Sequence, residues 1–189
     1  VNPLLKDKIM VSCKLEPQWR PLAAIYQNHY LTRNQKQWLL NPGSMTKQLQ
    51  EITGNLLEVE NINLSWEKLR YHEQQSLKSP REVAFIREVD LSYAGKILIK
   101  GRTVLPLKSL KGKLSKIPKL GNRPLGSFLF SQPGLQRSQM RWCFLYPHQI
   151  SSLSKQKAPL LARESIFHLD GKALLLVEFF MPDLLRMIA

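Results

Sequence analysis

The stretch Val83-Ala84-Phe85-Ile86-Arg87-Glu88-Val89-Asp90-Leu91-Ser92-Tyr93 decides the fold. Its odd positions hold Val83, Phe85, Val89, Leu91 and Tyr93, broken only by Arg87, while Glu88, Asp90 and Ser92 occupy the later even ones. Side chains of a strand alternate between faces, so the pattern predicts a strand with one apolar face. Ala94-Gly95 turns the chain into a second strand over 96–105, closed by Pro106. The chain finishes with another hairpin, 165–169 and 172–180, around Asp170-Gly171. Hairpins joined by local turns imply an antiparallel sheet, with the helices packed to one side.

Those helices are short and well punctuated. Thr32 caps a helix running through Trp38 to Leu40, which Asn41-Pro42-Gly43 stops. Ser44 caps a second, with Met45, Leu49 and Ile52 at helical spacing and Gly54 as its end. Leu57 and Val59 alternate with Glu58 and Glu60 as in a strand, and a strand or helical turn is expected near Trp66 to Tyr71. Residues 107–122 read as a lysine-rich loop. Pro124 opens a helix over 125–130, which Pro133-Gly134 ends. A further strand is expected over 142–146, and 151–159 reads as an exposed loop. The whole chain, 1–189, reads as one α+β domain.

Composition excludes several classes. With 43% hydrophobic residues in 189, the chain is no disordered tail. The longest apolar run, 173–181, is too short to span a bilayer and carries Glu178. Residues 1–13 alternate charged and apolar residues and do not read as a signal peptide. Cys13 and Cys143 form no CxxC and no cluster with histidine, so they read as packing residues in a reducing cytosol. The four histidines show no metal-ligand or nucleophile–base spacing.

The net charge of +14 is localised. Residues 91–163 contain no Asp or Glu and fourteen Lys or Arg; elsewhere the charges cancel. An anionic partner is expected for that field, whether a small acid, a nucleic acid or a phospholipid surface. Between Lys96 and Arg123 no aromatic residue interleaves the basic ones, which disfavours a specific nucleic-acid module.

Two charges stand in apolar strands. Arg87 lies between Phe85 and Val89 on its face, and Glu178 interrupts the apolar run 173–180. An isolated buried charge costs several kcal/mol, so each needs a partner, a ligand or a wet pocket. The two could pair with each other, reach solvent at strand ends, or face a closed pocket where Arg87 takes a carboxylate and Glu178 meets a hydroxyl or a proton in transit. The helix starts at Ser44-Met45-Thr46 and Pro124-Leu125-Gly126 would add backbone N–H donors. Arg102 reads as a surface or strand-end cation pairing with Glu88 or Asp90, and Arg163 and Ser165, at the start of the last hairpin, could face the same pocket, with solvent exposure as the default.

Ser44-Met45-Thr46-Lys47, Arg87-Glu88, Gly101-Arg102-Thr103-Val104, Pro124-Leu125-Gly126 with Leu129-Phe130, Arg163 with Ser165, and Gly171-Lys172 with Leu174-Leu175-Leu176 and Glu178 occur in one order. In that order they resemble the chorismate lyase (4-hydroxybenzoate synthase) family, over residues 38–182 and without a gap from 44 to 125. The resemblance implies a six-stranded antiparallel sheet with a ligand enclosed beneath helical flaps. It implies conversion of chorismate to 4-hydroxybenzoate and pyruvate, the first step of bacterial ubiquinone biosynthesis, with no metal or cofactor. Arg87 would bind a carboxylate, Glu178 would meet the hydroxyl end of the ring, and backbone groups of Met45 and Leu125 would complete the site. The chain departs from the pattern at Glu164, where the family more often has a second Arg, at Leu161, which replaces an aromatic, and in a longer segment over 139–157. A cytoplasmic monomer follows as the expectation, with a weak attraction of the basic region to anionic membrane surfaces. The alternatives are a non-catalytic aromatic-acid sensor of the same fold, as in GntR-type effector domains, and a basic nucleic-acid-binding protein. The chain before Trp38 is too short to supply the DNA-binding domain such regulators carry.

Overall fold

The computed structural model describes residues 18–138, 140–145 and 159–189. Their strands form one antiparallel sheet in the order β1-β6-β7-β8-β4-β3-β2, with β5 paired to β7. Six strands carry it: β2 (Glu58–Lys68), β3 (Val83–Tyr93), β4 (Lys96–Pro106), β6 (Arg141–Leu145), β7 (Leu160–Leu169) and β8 (Lys172–Phe180). Two-residue pieces, β1 (Arg20–Pro21) and β5 (Gln136–Arg137), extend it. Both expected hairpins form. Ala94-Gly95 and Asp170-Gly171 each place two consecutive residues at positive φ, the backbone twist that a two-residue hairpin turn needs.

Helices α1 (Arg33–Leu40) and α2 (Met45–Ile52) begin at the expected caps, with Thr32 and Ser44 side chains accepting from the N–H groups of Gln35 and Lys47. Helix α3 (Tyr71–Leu77) follows β2, which runs to Lys68 without the expected ambiguity near Trp66. Helix α4 (Leu125–Phe130) follows Pro124, and α5 (Pro182–Met187) closes the chain. The lysine-rich segment is not a plain loop. It winds into 3-10 turns at Leu107–Ser109 and Gly112–Lys119, because Leu114, Ile117 and Leu120 bury beneath the lysines.

The sheet is covered on both faces, so β3 is apolar on more than its odd side. Two apolar clusters lie on the face of Phe85, Arg87 and Val89. One gathers Trp38, Leu39, Met45, Leu49, Ile99 and Phe180, and the other Phe85, Leu105, Ile117, Leu125, Leu129 and Phe167. The reverse face carries Ala84, Ile86, Val104, Cys143, Leu175 and Val177 under α3, so not every helix packs on one side. Charges buried there are neutralised in place. Arg102 is buried rather than superficial and donates to Glu73, Glu67 and the expected Glu88, while Asp90 takes Lys100 instead. Burial opposes the charge on Arg102, but these carboxylates outweigh it and raise its pKa. Glu164 is on this reverse face too, bound by Arg141 and Ser76. Of the expected exposed loop over 151–159, residues 151–158 lie outside the described residues, as does Cys13. Among the described residues no helix is long and apolar enough to cross a membrane.

Candidate active site

Between the two apolar clusters of the Arg87 face lies a cavity. The four residues singled out from sequence, Met45, Arg87, Leu125 and Glu178, all line it. Strand pairing explains the meeting. Glu178 on β8 stands beside Gly101 on β4, and Arg87 on β3 stands beside Thr103 on β4, so one strand separates the two charges. Two strand spacings and the two-residue offset along β4 together amount to roughly 12 Å of backbone separation. Gly101 contributes no side chain to the floor between them.

Arg87 is 1% exposed and has no carboxylate partner among the described residues. Its Nη2 donates to the carbonyls of Gly121 and Arg123, each at 3.0 Å. Burial lowers its pKa, and carbonyls orient the guanidinium without neutralising it. A desolvated cation fixed this way favours an incoming carboxylate.

Glu178 does not pair with Arg87. Its Oε2 accepts from Arg163 Nε at 2.8 Å, and Arg163 Nη2 makes an ionic contact with the same oxygen at 2.7 Å. Arg163, expected at the surface, is 0% exposed, and Ser165 is equally buried. The register explains the correction: Arg163 on β7 lies directly opposite Glu178 on β8, beneath α1. Its Nη1 also donates to Trp38 O, Leu39 O and Asn41 O at 3.4, 3.2 and 2.9 Å. The cation thereby satisfies carbonyls left open at the end of α1.

The ends of two helices close the cavity. Gly43 to Thr46 and Pro124 to Gly126 line it, and α2 and α4 approach closely there. A Cβ on Gly126 would overlap Ser44 Oγ and press Thr46 Oγ1 at 3.3 Å, so this contact requires glycine. First-turn N–H groups of α2 at Met45 and those beginning at Leu125 stand at this wall.

Arg137 also lines the cavity, a residue noted from sequence only in the count of basic side chains. Its Nη1 donates to Pro42 O at 2.8 Å and its Nη2 to Ser165 Oγ at 2.6 Å. The guanidinium lies 5.0 Å over the ring of Phe167. Burial first, and then neighbouring Arg163, lower its pKa to about 10, with Glu178 acting in the opposite sense. No periodicity marks Arg137, because a two-residue strand is too short to show one.

Cys143 lies under the reverse face, its thiol pKa raised by burial and by Glu164. Among the described residues no group of three or more His, Cys, Asp or Glu is placed to hold a metal ion.

Residues 19–187 match the family described as chorismate lyase. The chain is 34% identical over 151 residues to a "Probable chorismate pyruvate-lyase" of Marinobacter nauticus, covering 78% of this chain and 76% of that protein. It is 30% identical over 162 residues to one of Methylobacillus flagellatus, covering 82% and 90%. Among solved structures, PhnF from Mycobacterium smegmatis superposes with a TM-score of 0.52 at 14% identity, over 76% of this chain and 66% of that one. A GntR-family transcriptional regulator from Bacillus cereus gives 0.51 at 13%, over 68% and 93%. These two likenesses show a shared fold. With the family match spanning nearly all the described residues and the relatives covering most of both chains, the chain belongs to the chorismate lyase family.

Proposed function

We propose that the protein eliminates pyruvate from chorismate to yield 4-hydroxybenzoate, the aromatic precursor entering ubiquinone synthesis. The supporting observation is Arg87, buried without a carboxylate partner among the described residues, in the same cavity as Glu178 with one strand between them. In this reading Arg87 takes the ring carboxylate and Glu178 faces the hydroxyl at the opposite end of the ring. Backbone N–H groups at Met45 and Leu125 add donors at the wall.

The reaction breaks the bond between the ring and the enolpyruvyl oxygen and removes the hydrogen from the ring carbon bearing the hydroxyl. The ring becomes aromatic, and a hydrogen added to the enolpyruvyl methylene gives the methyl group of pyruvate. Aromatisation favours products, so the protein's task is to hold a reactive conformer and to stabilise charge developing on the departing oxygen. Glu178 serves either as the base for the ring hydrogen or as the group orienting the hydroxyl while that hydrogen passes internally to the methylene. No step needs an electron carrier or a transferred group.

Purified protein mixed with chorismate tests the reading, with 4-hydroxybenzoate and pyruvate followed by chromatography. Equal catalytic yields of both are expected, with strong losses in Arg87→Ala and Glu178→Ala. Tight binding of 4-hydroxybenzoate without turnover would instead support the sensor alternative. Near-full turnover in both variants would remove these residues from the site.

A further inference from the structure

We propose that Arg137 receives the second carboxylate of the substrate, the one on the enolpyruvyl group, and so separates substrate from product at this site. The inference rests on the chorismate reading above and assigns the part of the molecule that the Arg87–Glu178 axis leaves uncontacted.

Charge in the cavity supports it. Arg163 and Glu178 neutralise one another, whereas Arg87 and Arg137 have no carboxylate contact among the described residues. Two uncompensated cations match a dianion. 4-Hydroxybenzoate, with one carboxylate, matches only one of them.

Position supports it as well. In chorismate the enolpyruvyl ether is on the ring carbon next to the hydroxyl. A ring held by its carboxylate at Arg87, with its hydroxyl toward Glu178, therefore carries the enolpyruvyl group to the Glu178 end. Arg137 is on that side. It is on β5 against Phe167 of β7, bonded to Ser165, two residues from Arg163 on the strand that pairs with Glu178.

Arg137 also has donors to spare. A guanidinium offers five N–H groups. Nη1 is used by Pro42 O at 2.8 Å and Gly43 O at 3.3 Å, and Nη2 by Ser165 Oγ. Nε is buried and has no acceptor among the described residues. A buried donor left open in a cation without a counter-ion calls for an explanation, and an anionic ligand supplies one.

The same contacts to Pro42 and Gly43 would make Arg137 a strut for the α1–α2 corner, and the experiment must separate the two roles. Steady-state kinetics on chorismate and calorimetric binding of 4-hydroxybenzoate are measured for wild type, Arg137→Gln and Arg137→Lys, with thermal unfolding of each. Loss of a charge-assisted contact to substrate alone lowers kcat/KM by about 10- to 100-fold in Arg137→Gln. Arg137→Lys, which keeps the charge, falls less, and 4-hydroxybenzoate affinity stays within about twofold in both. A parallel loss of 4-hydroxybenzoate affinity and turnover would overturn the proposal in favour of the strut, as would unchanged turnover. Wild-type protein that handles neither compound would bring down the chorismate reading first, an outcome recognisable before any variant is made.

Discussion

Replacing Arg163 with methionine tests whether the buried ion pair holds the cavity together. The substitution keeps an unbranched side chain of similar reach but removes every donor, stranding Glu178, which is 6% exposed, and the carbonyls of Trp38, Leu39 and Asn41. Deleting one partner of a buried pair costs about 3–5 kcal/mol, because the remaining charge stays desolvated. Arg137 still acts on Glu178 from nearby, which puts the pair's share near the lower end. The carbonyls add more, each a lost bond to a charged donor worth about 1.5–3 kcal/mol and not additive with the others. A total of about 4–5 kcal/mol is a large part of the roughly 5–15 kcal/mol that stabilises a domain. For a chain of this size it lowers Tm by roughly 8–20 °C. Urea unfolding of wild type, Arg163→Met, Glu178→Gln and the double variant forms the cycle that isolates the pair. Adding Glu178→Gln to Arg163→Met should recover about 1–3 kcal/mol by removing the stranded charge. Recovery of nothing would assign the whole loss to the carbonyls, and a single-variant loss under about 1 kcal/mol would refute the burial argument outright.

Three further outcomes are expected. Gly126→Ala forces Ser44 Oγ aside and separates α2 from α4, costing about 1–3 kcal/mol in chemical unfolding and weakening 4-hydroxybenzoate binding measured by calorimetry. Arg87→Lys keeps a charge but not the fork that reaches Gly121 O and Arg123 O, and binding of 4-hydroxybenzoate falls about tenfold in the same assay. His72, packed near Glu73, Arg70, Arg102 and Arg141, has its pKa lowered to about 4, mainly by burial, from an ordinary 6.5. The unfolded chain therefore binds that proton first. His72 contributes stability above pH 6.5 that is lost as pH falls toward 4, on the order of 2 kcal/mol, and urea titrations at pH 7 and 4.5 should show His72→Gln without that component.

Local chemistry explains what was legible early. Val83 to Tyr93 alternates because one backbone pleat dictates it. Ala94-Gly95 and Asp170-Gly171 turn because two adjacent residues adopt positive φ, and Thr32 and Ser44 cap because their hydroxyls reach an N–H three residues on. Arg87 and Glu178 stood out for the same kind of reason: a charge inside an apolar strand violates its own neighbourhood.

Partners across the sheet were beyond that reach. Which cation neutralises Glu178 depends on β7 lying against β8 in a register that puts Arg163 opposite it, and the fourteen intervening residues carry no trace of that choice. Arg102 looked superficial because Lys100, two residues before it, shares its side of the strand, yet α3 returns over the reverse face and buries Arg102 against Glu73. Lysines 111 to 119 masked the burial of Leu114 and Ile117 because a 3-10 turn repeats every three residues, too briefly to set up a readable period. Arg137 shows the same limit at its sharpest. The sequence by itself determined the strands, their turns, the caps and the two charges that need company. The tertiary structure alone decided which groups keep that company, because pairing energies act through space between residues whose order along the chain does not encode their distance.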